Sequence, residues 1–481
     1  MKNRTLLAAI LSSYSKIINF QKWRFLFLLI FVGLSSSTFA SKTTKSKKPN
    51  VIVILTDDQG SIDMNCYGSK DLFTPNMDRL AEEGTRFTQF YSAASVCSPS
   101  RAALLTGKTN LRAGLWGNVP VPANADKMKK YGMPTEQITM AEMLKENGYF
   151  TALVGKWHLG HKPQTLPNGQ GFDYYFGHQG GCIDNYSHFM FWSGPNMHDL
   201  YQNEKEVQHP GEFFPDLMVK EIKGIFNQER EEPFFIYWAF NAPHYPYQGE
   251  PKWLEHYKDL PTPRKEYAAF LSTEDERIGQ VLDELDRTGL AENTIVIFQS
   301  DHGYSTEERA FWGGGSAGKY RGSKFSYFEG GIRVPAIIRY PGVVPKNEVR
   351  DQICMEMDWF ATIAELTETD ISKMDIDGKS IMPVVKNNSA KSQHDVLYWQ
   401  HGSYDDNIAQ WVVRKDDWKL IGNAKERVKK GVIVEDKLFL SNIKMDISEK
   451  ENLAEKYPNE VKRLKTLHDE WIKGVRKEMG K

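Results

Sequence analysis

The sequence has few cysteines, no excess of either charge and no long apolar run. Four cysteines occur in 481 residues, at Cys66, Cys97, Cys182 and Cys354. Their spacing matches no metal motif and no dense disulfide scaffold, so cysteine is more informative here as chemistry than as a staple. Lys plus Arg number 61 and Asp plus Glu 62. That balance excludes a global basic field for nucleic acid and an acidic tail; any anion must be bound by local charge. The apolar run Phe25–Leu34 is ten residues long, too short to span a bilayer comfortably, so no stable membrane insertion is expected. Lys22, Trp23 and Arg24 precede it, and Ser35-Ser36-Ser37-Thr38-Phe39-Ala40 follows. This pattern reads as a signal peptide over residues 1–40, and hence as a secreted or periplasmic protein. Residues 41–48 read as a polar, lysine-rich linker.

What is present is a repeated strand-like pattern. Four β-branched and aromatic runs each end in ionisable residues. Val51–Leu55 leads to Asp57 and Asp58, and Phe150–Val154 to Lys156 and His158. Phe234–Phe240 leads to His244, and Thr294–Phe298 to Asp301 and His302. Runs with little alternation suit strands buried on both faces, as in a parallel sheet. Helical patterns at Met140–Asn147 and Tyr267–Arg287 lie between them. The expected fold class is α/β: a mixed, mostly parallel central sheet sandwiched by helices. In such sheets function gathers at the carboxyl ends of strands. The catalytic part is placed at 49–370. After it, Val396–Trp399, Trp411–Val413 and Trp418–Ile421 are short strand-like pieces, and Tyr457–Val475 is an amphipathic helix. Residues 371–481 therefore read as a smaller C-terminal α+β subdomain with an antiparallel sheet.

Cys97 opens the segment Cys97-Ser98-Pro99-Ser100-Arg101-Ala102-Ala103-Leu104-Leu105-Thr106-Gly107. Ser98 suits a helix cap, Pro99 a first helical position and Gly107 a stop. A side chain at a helix N-terminus meets free N–H groups that favour an anion, and Arg101 lies one turn on. These features point first to a low-pKa thiol, the alternative being a buried structural cysteine before a helix.

Cys-x-Pro-x-Arg followed by Ala-Ala-Leu-Leu-Thr-Gly resembles the signature of the formylglycine-dependent sulfatases, which have an alkaline-phosphatase-like fold. The resemblance extends through Pro49–Gln59, Thr74–Ala81, Gly155–Gly160, Asn241–His244, Gly318–Lys324 and Glu329–Pro335, in the family's order. It implies that a formylglycine-generating enzyme oxidises Cys97 to formylglycine. It implies a divalent metal, usually Ca2+, held by Asp57, Asp58, Cys97, Asp301 and His302. Many relatives carry Asn at the position of His302; an imidazole also suits zinc, iron or manganese. By the same resemblance, one hydroxyl of the hydrated formylglycine attacks sulfur and expels the alcohol. Deprotonation of the other collapses the adduct to aldehyde and free sulfate. Lys156 and Lys324 would hold sulfate oxygens, His158 would act as base, His244 would protonate or orient the leaving oxygen, and Arg101 would steady the diol. For Lys319 and Arg321 a surface ion pair and a substrate contact fit equally well. Residues 171–216 are rich in aromatics, among them Tyr174, Tyr186, Phe189 and Trp192, which suit sugar stacking or simple packing. The expected substrate is a sulfated glycan. The rival functions are a formylglycine-dependent phosphodiester or phosphonate monoester hydrolase and a non-catalytic glycan-binding protein.

Overall fold

Alternation along β1 explains how the molecule is layered. Val51, Val53 and Leu55 enter one apolar core and Ile52 and Ile54 another, on opposite faces of the same strand. All seven residues of that strand are buried, which is why its sequence shows no polar face. The computed structural model describes residues 48–120, 132–191, 197–428 and 431–481. The expected signal peptide, the linker up to residue 47 and Trp192 lie outside them.

In chain order the strands are β1 (Asn50–Thr56), β2 (Thr85–Phe87), β3 (Phe90–Tyr91), β4 (Phe150–Lys156), β5 (Tyr174–His178), β6 (Tyr201–Gln202), β7 (Lys205–Glu206) and β8 (Phe234–Ala239). They continue with β9 (Thr294–Ser300), β10 (Ala336–Arg339), β11 (Glu348–Arg350), β12 (Cys354–Met355), β13 (Val396–His401), β14 (Gln410–Lys415), β15 (Trp418–Arg427) and β16 (Ile433–Asn442). Ten of them form one sheet in the order β11-β2-β10-β9-β1-β8-β4-β5-β6-β7. The central pairs β9-β1, β1-β8, β8-β4 and β4-β5 are parallel. β10 runs antiparallel to both its neighbours, and β6 and β7 form an antiparallel edge. The sheet is thus mixed and mostly parallel.

Helices cover both faces. One core takes α2 (Cys97–Thr106), α3 (Met140–Glu146) and α8 (Asp358–Leu366) through Leu104, Leu105, Met140, Leu144 and Ile363. The other takes α1 (Pro75–Glu83), α4 (Phe214–Phe226) and the long α6 (Arg264–Arg287) through Leu80, Leu217, Ile222, Phe270 and Ile278. Short helices α5 (Pro251–His256), α7 (Glu329–Ile332) and α9 (Met382–Lys386) complete this part. Met382, Val384 and Val385 of α9 join the first core, and the antiparallel sheet β13-β14-β15-β16 begins only at Val396. The last helix, α10 (Pro458–Glu478), buries Leu464, His468, Ile472 and Val475.

The small sheet is bonded to the catalytic part through buried charge. Lys419 Nζ lies 2.9 Å from Glu329 Oε1 and 3.2 Å from Glu449 Oε1. Tyr91 donates to Glu329 Oε2 at 2.7 Å, and Arg333 pairs with the same oxygen at 3.2 Å. Removing one member of such a set strands a buried charge, so the set fixes how the small sheet seats against α7 and β3.

Candidate active site

Parallel register brings the strand ends together. Thr56 stands opposite Ser300, and Leu55 opposite Ala239. The residues that follow are tied in turn: Asp57 N–H donates to the Ala242 carbonyl at 2.9 Å and Asp301 N–H to that of Thr56 at 3.0 Å. Asp58 and His158 hold left-handed backbones, at φ 63° and 60°. Such strain in residues other than glycine persists only where the surroundings impose it, and it gathers at functional sites.

Cys97 opens α2, two residues earlier than the capping pattern implies. Val96 is the N-cap and no side chain caps the helix. Ser98 is otherwise engaged: its N–H donates to Asn118 Oδ1 at 3.0 Å and its hydroxyl to the His158 carbonyl at 2.7 Å. Gly107, at φ 67°, ends the helix as expected.

Around the Cys97 Sγ stand His302 Nε2 at 3.3 Å and Asp57 Oδ1 at 3.6 Å. Lys156 Nζ donates to Asp57 Oδ2 at 2.6 Å. Lys324 Nζ reaches both Asp58 oxygens, at 2.9 and 3.1 Å, and His244 Nε2 lies 3.6 Å from Asp58 Oδ2. All of these side chains are buried. Asp57, Asp58, Cys97 and His302 each offer one ligand atom within 4.8 Å of the others. Asp301 borders this group, its Oδ1 3.5 Å from His302 Nε2. Its Oδ1 accepts from the Asp58 N–H at 3.2 Å, and its Oδ2 from Arg101 at 3.1 Å. Arg101 reaches Asp57 Oδ2 as well, at 3.7 Å, so its visible work is to hold two acids.

Charge is finely divided here. Burial opposes ionisation of Asp57, but Lys156, Arg101 and Lys324 outweigh it and hold the carboxyl well below its usual range. Burial pushes Asp58 up to about 8 despite Lys324 and His302. Burial also opposes a thiolate at Cys97, yet Lys156 and Lys324 bring it down to about 6. Burial, then Lys156, pushes His158 well below the ordinary histidine value, and burial with Lys324 does the same to His244. Both imidazoles are therefore neutral. His158 Nε2 faces the Val119 carbonyl at 3.2 Å and must donate; its buried Nδ1 has no partner and carries a free lone pair. His244 Nδ1 donates to the Tyr245 carbonyl at 2.7 Å, which leaves the lone pair on Nε2.

A sulfatase model matches residues 49–369. The chain belongs to the sulfatase family. A second model, the C-terminal part of N-sulphoglucosamine sulphohydrolase, matches residues 319–473. Over 464 residues the chain is 31% identical to arylsulfatase J of Mus musculus, covering 88% of this chain and 75% of that protein. Over 358 residues it is 36% identical to N-acetylgalactosamine-6-sulfatase of Homo sapiens, covering 70% and 66%. The solved structure of Ps i-CgsB in complex with k-i-k-neocarrahexaose is similar with a TM-score of 0.77 at 28% identity, covering 89% and 93%. This sulfatase is accordingly a sulfuric ester hydrolase.

The sulfatase's donor set fits a divalent cation. Two carboxylates and Cys97 crowd one another, and Asp57 and Cys97 both add to the upward push on Asp58; a metal would relieve that repulsion. His302 Nδ1 donates to the Gly303 carbonyl at 2.9 Å, which points Nε2 at the Cys97 Sγ, where it would face a bound cation.

Several partners in this sulfatase had no local signal. Asn118 and Val119 touch Ser98 and His158 from a loop without a motif. Glu356, pushed up to about 8 by burial, accepts from the Ala93 N–H at 2.6 Å and lies 2.8 Å from the Ser100 hydroxyl. Ser100 in turn donates to the Asp301 carbonyl at 2.7 Å, so Glu356 helps seat α2. Arg321 pairs with Glu426 at 2.6 Å, and Lys319 is exposed. Of the aromatic stretch, Phe172, Tyr175 and Phe176 are core, while Tyr186 and Phe189 are exposed.

Proposed function

We propose that this sulfatase removes sulfate from a sulfated glycan, with Cys97 oxidised to formylglycine as the nucleophile and one Ca2+ ion per chain. The observation that carries the reading is the buried ring of Asp57, Asp58, Lys156, Lys324, His244 and His302 about Cys97. The names of the relatives support the substrate class: one acts on N-acetylgalactosamine-6-sulfate groups and another binds a neocarrahexaose. Export through residues 1–40 suits a polymeric substrate outside the cell, and a formylglycine-generating enzyme is the partner required in maturation.

Asp57, Asp58, Asp301, His302 and the oxygen at Cys97 would hold the metal, with Arg101 and the Asp58 N–H orienting Asp301. Bound there, the metal supplies Lewis acidity that favours an ionised hydroxyl at Cys97. Lys156 and Lys324 hold sulfate oxygens as fixed positive charges in a site closed to water, where such charges act most strongly. His158 takes a proton at Nδ1, the atom the fold leaves free. His244 orients the leaving oxygen at Nε2, and donates a proton there once the incoming anion has raised its basicity.

The test is sulfate release, followed by ion chromatography, from carrageenans, ulvan and glycosaminoglycans. It is run with Ca2+, with chelator, with Mn2+ or Zn2+ restored, and with Cys97→Ala. Release that needs both Cys97 and Ca2+ is the expected result. Formylglycine found at Cys97 with no release, but with phosphonate ester or phosphodiester cleavage, would replace the sulfatase substrate by a phosphoester. Glycan binding without any turnover would leave only the binding protein.

A further inference from the structure

A cavity separate from the catalytic ring opens between the residue after Lys324 and the small antiparallel sheet. It holds about 300 Å³ and is lined by Phe325, His401, Gln410, Lys425 and Arg427, with Ile408 at its rim. Two hydrogen bonds fix its place beside the nucleophile. The Phe325 N–H donates to the carbonyl of Ser95, two residues before Cys97, at 2.9 Å. Gln410 Nε2 donates to the Phe325 carbonyl at 2.9 Å. Phe325 is itself held at φ 70°, a backbone that aromatic residues rarely adopt.

The charge of the cavity has one sign. Lys425 and Arg427 are two apart on β15 and so project from one face of the sheet. Glu426 between them points away and pairs with Arg321. Among the described residues no carboxylate lines the cavity. Lys425 has a surface partner, Glu435, at 3.1 Å. Arg427 has no ionic partner among the described residues. Burial pushes His401 down to about 4, so it is neutral and the two long side chains supply the charge. A backbone hydrogen bond also ties the cavity wall to a segment that reaches the reaction centre. Gly402 on its wall donates its N–H to the Trp116 carbonyl at 2.7 Å. Trp116, 39% exposed, lines a neighbouring cavity of about 400 Å³ together with Asn118 and Val119. Those two residues are the ones that touch Ser98 and His158. An exposed indole between a catalytic centre and a basic cavity is a platform on which a sugar ring can stack.

We propose that this cavity is a second anion subsite: Lys425 and Arg427 receive a sulfate or carboxylate on a sugar neighbouring the one whose sulfate ester meets Cys97. The inference rests on the sulfatase reading of the catalytic ring and narrows the substrate to a glycan bearing more than one anionic group. A bidentate guanidinium contact and an ammonium suit either anion.

The experiment compares the wild type with a Lys425→Gln/Arg427→Gln double variant. Three substrates are used: 4-methylumbelliferyl sulfate, with one anion; a carrageenan hexasaccharide, whose further anions are sulfates; and a chondroitin sulfate tetrasaccharide, which adds carboxylates. The expected result is a KM for the oligosaccharide raised about 10- to 100-fold, with kcat and aryl sulfate turnover unchanged. Loss on the carrageenan names sulfate as the occupant; loss on the chondroitin sulfate alone names the carboxylate. Unchanged oligosaccharide turnover, or an equal loss on the aryl sulfate, overturns the subsite and leaves the sulfatase reading intact. So does a wild type that cleaves the aryl sulfate and neither oligosaccharide. A wild type carrying formylglycine and inactive on all three overturns the sulfatase reading, and the subsite with it.

Discussion

Gly155→Ala should cripple turnover without touching a reacting group. Gly155 precedes Lys156 on β4 and has φ 121°. A methyl group on its Cα would stand 1.8 Å from the Ala239 carbonyl oxygen on β8, where real Cβ contacts essentially never fall below 3.0 Å. The strands must therefore part by at least 1.2 Å (3.0 − 1.8). Lys156 Nζ donates to Asp57 Oδ2 at 2.6 Å; the same displacement carries that pair to about 3.8 Å, beyond a hydrogen bond. A misplacement of about 1 Å at a reacting centre costs on the order of 100-fold in rate. Overpacking adds roughly 1–3 kcal/mol of lost stability. Gly148→Ala is the control, since Gly148 has φ 84° with nothing within 4 Å of an added methyl. It retains the backbone penalty without the collision. The assay is kcat on 4-methylumbelliferyl sulfate together with thermal unfolding of both variants. A Gly155→Ala protein within about threefold of wild-type kcat, melting with Gly148→Ala, would refute the reasoning.

Lys324→Ala removes the cation that faces both Asp58 oxygens. It should lower kcat/KM on every sulfate ester by about 100- to 1000-fold, and a loss under about tenfold would remove Lys324 from the sulfate-binding role. His468 is fully buried, stacks on Trp411 at 4.2 Å, and is pushed by burial to about 4. In the unfolded chain it takes up its proton near about 6.5, so the unfolded state binds more protons below that pH. Stability then falls as pH falls from about 6.5 to 4, by up to roughly 3 kcal/mol. His468→Gln should flatten that part of the unfolding profile; an unchanged slope between neutral and acid pH would show that the group is protonated in the fold.

The central strands were legible because burial on both faces writes near-continuous apolar runs, and Asn50–Thr56 and Thr294–Ser300 extend the expected runs by only a residue or two. The acids and bases at their ends were legible for the same reason: a parallel sheet gathers strand ends. The antiparallel insertion of β10 between β9 and β2 was not. Pairing direction depends on partners some 40 to 250 residues away, as Ala336 with Gln299 and with Phe87 shows, and no local pattern encodes it. The start of α2 was misread because Ser98 is a good cap in isolation. In the fold its hydroxyl and N–H are claimed by His158 and Asn118, distant residues that outbid local preference. Asp301 was proposed as a ligand from the family resemblance; in the fold its Oδ1 lies 3.5 Å from His302 Nε2, and contacts with Arg101 and the Asp58 N–H, which no local pattern signals, orient it.

All ten residues of the helix that begins at Cys97 are buried, and Cys97 itself is 2% exposed. An oxidising enzyme has to lay this segment across its own cleft, and the finished fold offers it no end to grasp. The proposed conversion of Cys97 is therefore a race between a modifying enzyme and the closure of the sheet, run once for each molecule. A chain that folds first keeps its thiol for as long as it stays folded. Specific activity then records the outcome of that race as much as the quality of the site, and unfolding followed by refolding beside the modifying enzyme reopens it.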